Sequence, residues 1–186
     1  MSVDPKTLSI VHYPAEVLRQ KAKEVPDVTA DVRRVAERMI ELMFEAEGIG
    51  LAAPQVGLPW RMFVAHVPEN EDRSLGADPL EATGEPMVCI NPRLSQPERD
   101  LVPLDEGCLS LPEIVGEVRR PSRITMTALG IDGREFTVRA AGLLARCWQH
   151  ENDHLDGVLI IDRMTPPSRL RNRNALKALE QRAVFH

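Results

Sequence analysis

Apolar positions recur at helical spacing from Asp31 to Ala46, where Val32, Val35, Ala36, Met39, Met43 and Ala46 fall on one face, and they predict an amphipathic helix. Thr29 is its expected cap, Asp31 sits in the first turn, and Gly48 and Gly50 end it. Upstream, Thr7 to Val11 alternates weakly, as a short strand or extended arm would, and Ala15 to Ala22 allows one or two helical turns. Strand-like runs follow at Met62–Val67 and Met87–Asn91. Between them, Pro68–Pro86 is acidic and rich in Pro and Gly, and it predicts a long solvated loop. Further short strands are expected at Leu101–Leu104, Gly116–Arg120, Ile124–Leu129 and Glu135–Arg139, the last two joined by a hairpin at Asp132-Gly133. A helix from Gly142 to Leu155, a brief strand at Val158–Ile161 and a helix from Ser168 to Val184 complete the reading. The expected class is α+β: mostly antiparallel sheets around a central helix, flanked by an N-terminal and a C-terminal helix.

Size and composition narrow the picture. A chain of 186 residues suits one domain spanning 1–186, and 43% hydrophobic with 27% charged residues is ordinary for a soluble globular protein. No apolar run is as long as a membrane span, and the start of the chain shows neither a secretory signal nor a transit peptide, so a cytoplasmic location is expected. Three cysteines, Cys89, Cys108 and Cys147, suit a reducing compartment better than a disulfide framework. The formal net charge of -5 argues against bulk nucleic-acid binding and gives no sign of specific DNA recognition. From Arg169 onward, however, five cations (Arg169, Arg171, Arg173, Lys177 and Arg182) face Glu180 alone.

The candidate chemistry lies in the helix from Gly142 to Leu155. Its Gln-His-Glu-Asn-Asp-His run, Gln149 to His154, is an HExxH arrangement. At 3.6 residues per turn, His150 and His154 stack on one face and can reach the same ion, while Glu151 falls beside that face, close enough to take a proton from an activated water. The simpler reading is a solvated surface helix. Leu143, Leu144, Cys147, Trp148 and Leu155 oppose it, because they give the helix a buried side, and Leu143 and Cys147 share the histidine face.

A hydrolytic site needs a third protein ligand. The metzincin pattern HExxHxxGxxH keeps Gly157 but has Ile160 in place of the last histidine. A thermolysin-like glutamate could only be Glu180, the one glutamate after Glu151. Cys147 lies about 10 Å along the axis from His154 at 1.5 Å per residue, which suits pocket wall better than ligand. Cys108 remains, in Glu106-Gly107-Cys108-Leu109-Ser110, although a buried structural cysteine is the simpler reading of that segment alone. The Gly48-Ile49-Gly50-Leu51-Ala52-Ala53-Pro54-Gln55 run is a poor dinucleotide fingerprint, since a helix precedes it and Pro54 follows.

Taken together, these segments resemble the peptide deformylase family, whose motifs have the forms GxGxAAxQ, EGCxS and HExDH. All three stand in order between Gly48 and His154, and Ile10-Val11-His12-Tyr13-Pro14 with Val17-Leu18-Arg19 is similar to the family's N-terminal region. The resemblance implies a metallo-hydrolase that removes the N-formyl group from formylmethionine at the start of nascent chains and releases formate. It implies that Cys108, His150 and His154 hold one divalent ion, Fe2+ in the cell with Zn2+, Ni2+ or Co2+ able to replace it. Glu151 would be the general base and acid, and Gln55 with the backbone N–H of Leu109 the oxyanion donors. Ile49 and Gly50 would pair with the peptide backbone, and Leu143, Cys147 and Ile49 would line the methionine pocket. The basic terminal helix, with Arg169, Arg173 and Lys177 on one stripe and Leu170, Leu176, Leu179 and Ala183 holding it to the domain, would dock on the ribosome. Arg146, near the side-chain pocket, departs from the apolar residue expected there, and Glu106 with Arg120 would form an ion pair steadying the Cys108 turn.

Overall fold

The computed structural model describes residues 3–184. Helix α1 (Ala30–Glu45) forms as its periodicity predicts, and the Thr29 hydroxyl accepts from the Val32 N–H at its start. A five-stranded antiparallel sheet follows in the order β1-β2-β3-β6-β7, with β1 at Gly50–Ala52, β2 at Met62–Ala65, β3 at Met87–Ser95, β6 at Arg123–Leu129 and β7 at Glu135–Ala141. A separate two-stranded hairpin pairs β4 (Leu101–Cys108) with β5 (Leu111–Pro121). Helix α2 (Gly142–Leu155) carries the HExxH run. Three shorter helices close the chain: α3 (Ile160–Arg163), α4 (Pro166–Arg171) and α5 (Arg173–Val184).

Strand β2 explains the layering. All four of its residues are buried, because both faces of the sheet are covered. Met62 and Val64 point into a core built with Val35, Met39 and Met43 of α1, whereas Phe63 and Ala65 point into a second core with Leu144, Trp148 and Leu155 of α2. A third cluster joins Leu111, Ile114 and Val118 of β5 to Ile160, Ile161 and Leu179 of the C-terminal helices and to Met164 between α3 and α4. The α+β class is therefore as expected, with α2 lying between the sheet and the hairpin.

Several local expectations need correction. Val158–Ile161 is not a strand: Asp162 accepts from the Leu159 N–H and starts the short helix α3 instead, a local bond that competes with extended structure. The single helix expected over Ser168–Val184 begins earlier, at Pro166, and breaks at Asn172. There the Asn172 side chain donates to the carbonyls of Val115 and Ser168, which ties the break to β5. Leu170 is 71% exposed and does not hold that segment to the domain; Leu179 does, Leu176 is half-buried, and the Ala183 side chain lies outside the described residues. The first segment adds a 3-10 turn at Pro5–Thr7, and the stretch to Val11 forms no strand, of the two alternatives leaving the arm; the turn expected within Ala15–Ala22 is present at Glu16–Arg19. The acidic loop is solvated through its first half, but Leu80 then pairs beside β7 and the Thr83 hydroxyl accepts from the Val67 N–H, so its second half covers a sheet edge. Among the described residues no helix is long and apolar enough to cross a membrane.

Candidate metal centre

Strand β4 ends at Cys108, and the turn into β5 brings its thiol against the histidine face of α2. His154 Nε2 stands 3.3 Å from Cys108 Sγ and 3.3 Å from His150 Nε2. The three ligand atoms all lie within 4.8 Å of one another, and they form the one such group of His, Cys, Asp or Glu among the described residues. Glu180 is elsewhere, accepting a hydrogen bond from the Tyr13 hydroxyl at 2.8 Å, and Cys147 donates to the Ile49 carbonyl. Gly157, the residue shared with the metzincin pattern, has its own reason: with φ at +72° it turns the chain after α2, where a Cβ would lie 2.6 Å from the Arg19 carbonyl oxygen.

The donor set fits a divalent cation. Two imidazole nitrogens and a thiol converge on one point, and that combination suits zinc, iron, cobalt or nickel. Burial lowers the His150 pKa, yet hydrogen bonds to Cys108 and Glu106 overturn that and hold it well above its ordinary value. Burial and the neighbouring His150 hold the His154 pKa well below its ordinary value.

A buried set of ion pairs surrounds the ligands. Glu106 accepts from Arg120 Nε at 2.7 Å and Nη2 at 2.9 Å, from Arg146 Nη1 at 2.6 Å, and lies 3.1 Å from His150 Nδ1. Burial raises the Glu106 pKa, but the bonds from His150 and Arg120 outweigh it and keep the carboxyl ionised far below its usual range. The Glu106–Arg120 pair thus forms as expected, and it is buried rather than solvated. Arg120 also reaches Asp153 at 2.8 Å, which Arg163 grips from the other side. Asp153 and Arg163 were not singled out from the sequence; the available signal was an acid one position before His154, on the helix side opposite solvent. Arg146 borders the pocket as expected, and its guanidinium is committed to Glu106 and to the carbonyls of Val118 and Val102.

Cys108 and His150 open into a pocket of about 400 Å³ lined by Ile49, Gly50, Gln55, Leu109, Leu143 and Cys147 among others, so the residues expected for substrate contact are brought together. The Gln55 side-chain oxygen accepts from the Ala52 N–H at 2.8 Å, which turns its NH2 toward Cys108 Sγ and Ser110 Oγ. Glu151 is buried with one carboxylate oxygen lacking a hydrogen-bond partner among the described residues, and burial lifts its pKa to about 7 against the charges of His150 and Arg120.

The family model described as polypeptide deformylase matches residues 7–170. The chain belongs to the polypeptide deformylase family. Peptide deformylase 2 of Gloeobacter violaceus is 47% identical over 148 residues, which are 80% of this chain and 74% of that protein. The peptide deformylase of Agrobacterium fabrum is 42% identical over 175 residues, covering 94% and 95% of the two chains. The crystal structure of peptide deformylase from Ehrlichia chaffeensis superposes with a TM-score of 0.85 at 35% identity, over 96% of this chain and 97% of that one. Deformylases are metalloenzymes, in keeping with the Cys108, His150 and His154 group.

Proposed function

We infer that this deformylase hydrolyses the formyl amide of N-formylmethionyl peptides at the Cys108–His150–His154 pocket, releasing formate and a free α-amine. The observation that carries the reading is the convergence of Cys108 with His150 and His154 from separate elements onto one point beside Glu151 and Gln55. Bound there, a divalent ion supplies Lewis acidity that makes water a nucleophile near neutral pH and polarises the formyl oxygen. Glu151 takes the proton of the attacking water and passes it to the nitrogen as the C–N bond breaks. The Gln55 amide and the Leu109 N–H donate to the oxyanion, where one well-aimed donor contributes about 3 to 4 kcal/mol. Ile49 and Gly50 pair with the peptide backbone, and Leu143, Cys147 and Ile49 receive the methionine side chain.

The test is Glu151→Gln. It should retain the metal and the fold while turnover of a formylated methionyl peptide falls by about 10² to 10⁴, the range for a lost general base. Near-parental turnover in a metal-loaded Gln variant would remove Glu151 from the mechanism.

The donor set suits zinc, iron, cobalt or nickel alike, and it is the family resemblance that implies ferrous iron in the cell, with Zn2+, Ni2+ or Co2+ as substitutes. Metal analysis of anaerobically purified protein should find iron. The cytoplasm is the proposed location, where nascent chains emerge and thiols stay reduced. Ribosome docking is proposed through Arg169, Arg173 and Lys177, which line one surface cleft with Leu170, Leu176 and Glu180 in spite of the break at Asn172.

A further inference from the structure

The metal ligands come from parts of the molecule that are built separately. His150 and His154 ride on α2, which the five-stranded sheet holds through Leu144, Trp148 and Leu155. Cys108 ends a strand of the β4–β5 hairpin, which shares no strand pairing with that sheet. The position of the thiol relative to the imidazoles therefore depends on what locks hairpin to helix. Arg120 does so through Asp153, and Gln149 through the Pro121 carbonyl at 3.0 Å.

Arg146 does more than either. From α2, its Nη1 donates to Glu106 Oε1 at 2.6 Å and to the Val118 carbonyl at 3.0 Å, and its Nη2 donates to the Val102 carbonyl at 2.6 Å. One planar fork thus grips both strands of the hairpin, together with the carboxylate that receives His150 Nδ1. An aliphatic side chain would serve equally as pocket wall, and burying a guanidinium is costly, so stability alone is a weak reason for this arrangement. Fixing geometry is a better one.

We propose that Arg146 is a positioning residue of the metal centre: it clamps β4 and β5 onto α2 and shares Glu106 with His150, and so sets where Cys108 stands relative to the two imidazoles. This rests on reading the pocket as a metal centre.

The experiment compares the parent, Arg146→Met and Arg146→Lys, each loaded with cobalt. Methionine keeps the apolar stem and loses every hydrogen bond; lysine keeps the charge but cannot span Glu106, Val118 and Val102 together. Three quantities are read: the rate of cobalt loss to excess EDTA, the thiolate-to-cobalt absorption band, and the urea midpoint of the metal-free full chain. The Met variant should lose cobalt about 10- to 100-fold faster, the range for losing an outer-shell partner, with an altered band and a midpoint close to the parent's. The Lys variant should fall between the two. Parental cobalt retention and an unchanged band in either variant overturn the proposal. It is also overturned if the Met variant's faster cobalt loss comes with a lowered midpoint and lysine restores both together, which would make Arg146 a prop of the fold alone. Should the Met variant not fold, the Lys variant decides by the same criterion. A parent that takes up no cobalt overturns the metal-centre reading itself, an outcome distinct from failure of the Arg146 role.

Discussion

A Cβ at Gly50 would sit 2.4 Å from Glu151 Oε1, closer than real contacts allow, so the first residue of β1 and the carboxylate next to the ligands are mutually fitted. The glycine is needed here for close approach. Gly50→Ala should therefore push Glu151 aside and lower turnover by about 10², the cost of misplacing a reacting group by an ångström, while metal content stays the same. Unchanged kinetics in that variant would mean that Glu151 can shift without consequence. Gln55 shows the same logic with hydrogen bonds, since fixing its oxygen on the Ala52 N–H leaves its NH2 facing the sulfur. Both roles were open to sequence reasoning as motif positions, but the contacts that enforce them were not. Nothing in Gly48 to Gln55 states what stands opposite.

Helix α2 divides its labour by face. Leu144, Trp148 and Leu155 are completely buried against the sheet, and His150, Glu151 and His154 turn toward the pocket. Trp148 is the largest of the fully buried side chains, and its ring nitrogen has no hydrogen-bond partner among the described residues, so its contribution is packing. Trp148→Ala should cost about 3 to 5 kcal/mol of unfolding free energy, as for other large-to-small core changes. A loss below about 1 kcal/mol in urea titrations would mean that the sheet does not anchor the helix through this residue. Helical periodicity revealed this two-sided helix at once. It failed for Val158–Ile161, because four apolar residues fit a strand and a buried helical turn equally well, and the Asp162 cap decided between them.

At the scale of the molecule, a metal held by Cys108, His150 and His154 would cross-link α2 and the β4–β5 hairpin, and with them two cores. Because the ion binds the folded chain, a free concentration of about 100 times Kd should stabilise it by about 2.7 kcal/mol. Chelation should lower the thermal midpoint accordingly, and a midpoint indifferent to chelator would contradict the assembled site. The C-terminal cleft offers a separate test. Charge-reversing Arg169, Arg173 and Lys177 should reduce co-sedimentation with ribosomes at low salt, with turnover of a short formylated peptide unchanged, because contacts to phosphate weaken steeply with salt. Equal co-sedimentation of variant and parent would exclude docking through this face.

The α+β class, α1, α2 with its HExxH run, and the β6–β7 strands were legible in the chain, because each is written in local spacing: a 3.6-residue period, an alternation, or residues a helical turn apart. The other two motifs had meaning only through the family resemblance, and β4 and β5 run well past the Leu101–Leu104 and Gly116–Arg120 expected for them. The third ligand was not legible from residues alone. Cys108 lies 42 positions before His150, and spacing alone left Glu180 and Cys147 in contention until the family resemblance and then the fold chose. Arg146 is the sharper case, since the sequence placed it near the side-chain pocket, which it borders, but gave no sign that its guanidinium goes to Glu106, Val118 and Val102. A long side chain on a buried helix is committed by whichever unsatisfied carbonyls and carboxylates come within its reach, and those belong to other strands. Local order fixed which groups α2 carries, whereas the docking of the hairpin against it decided what they meet.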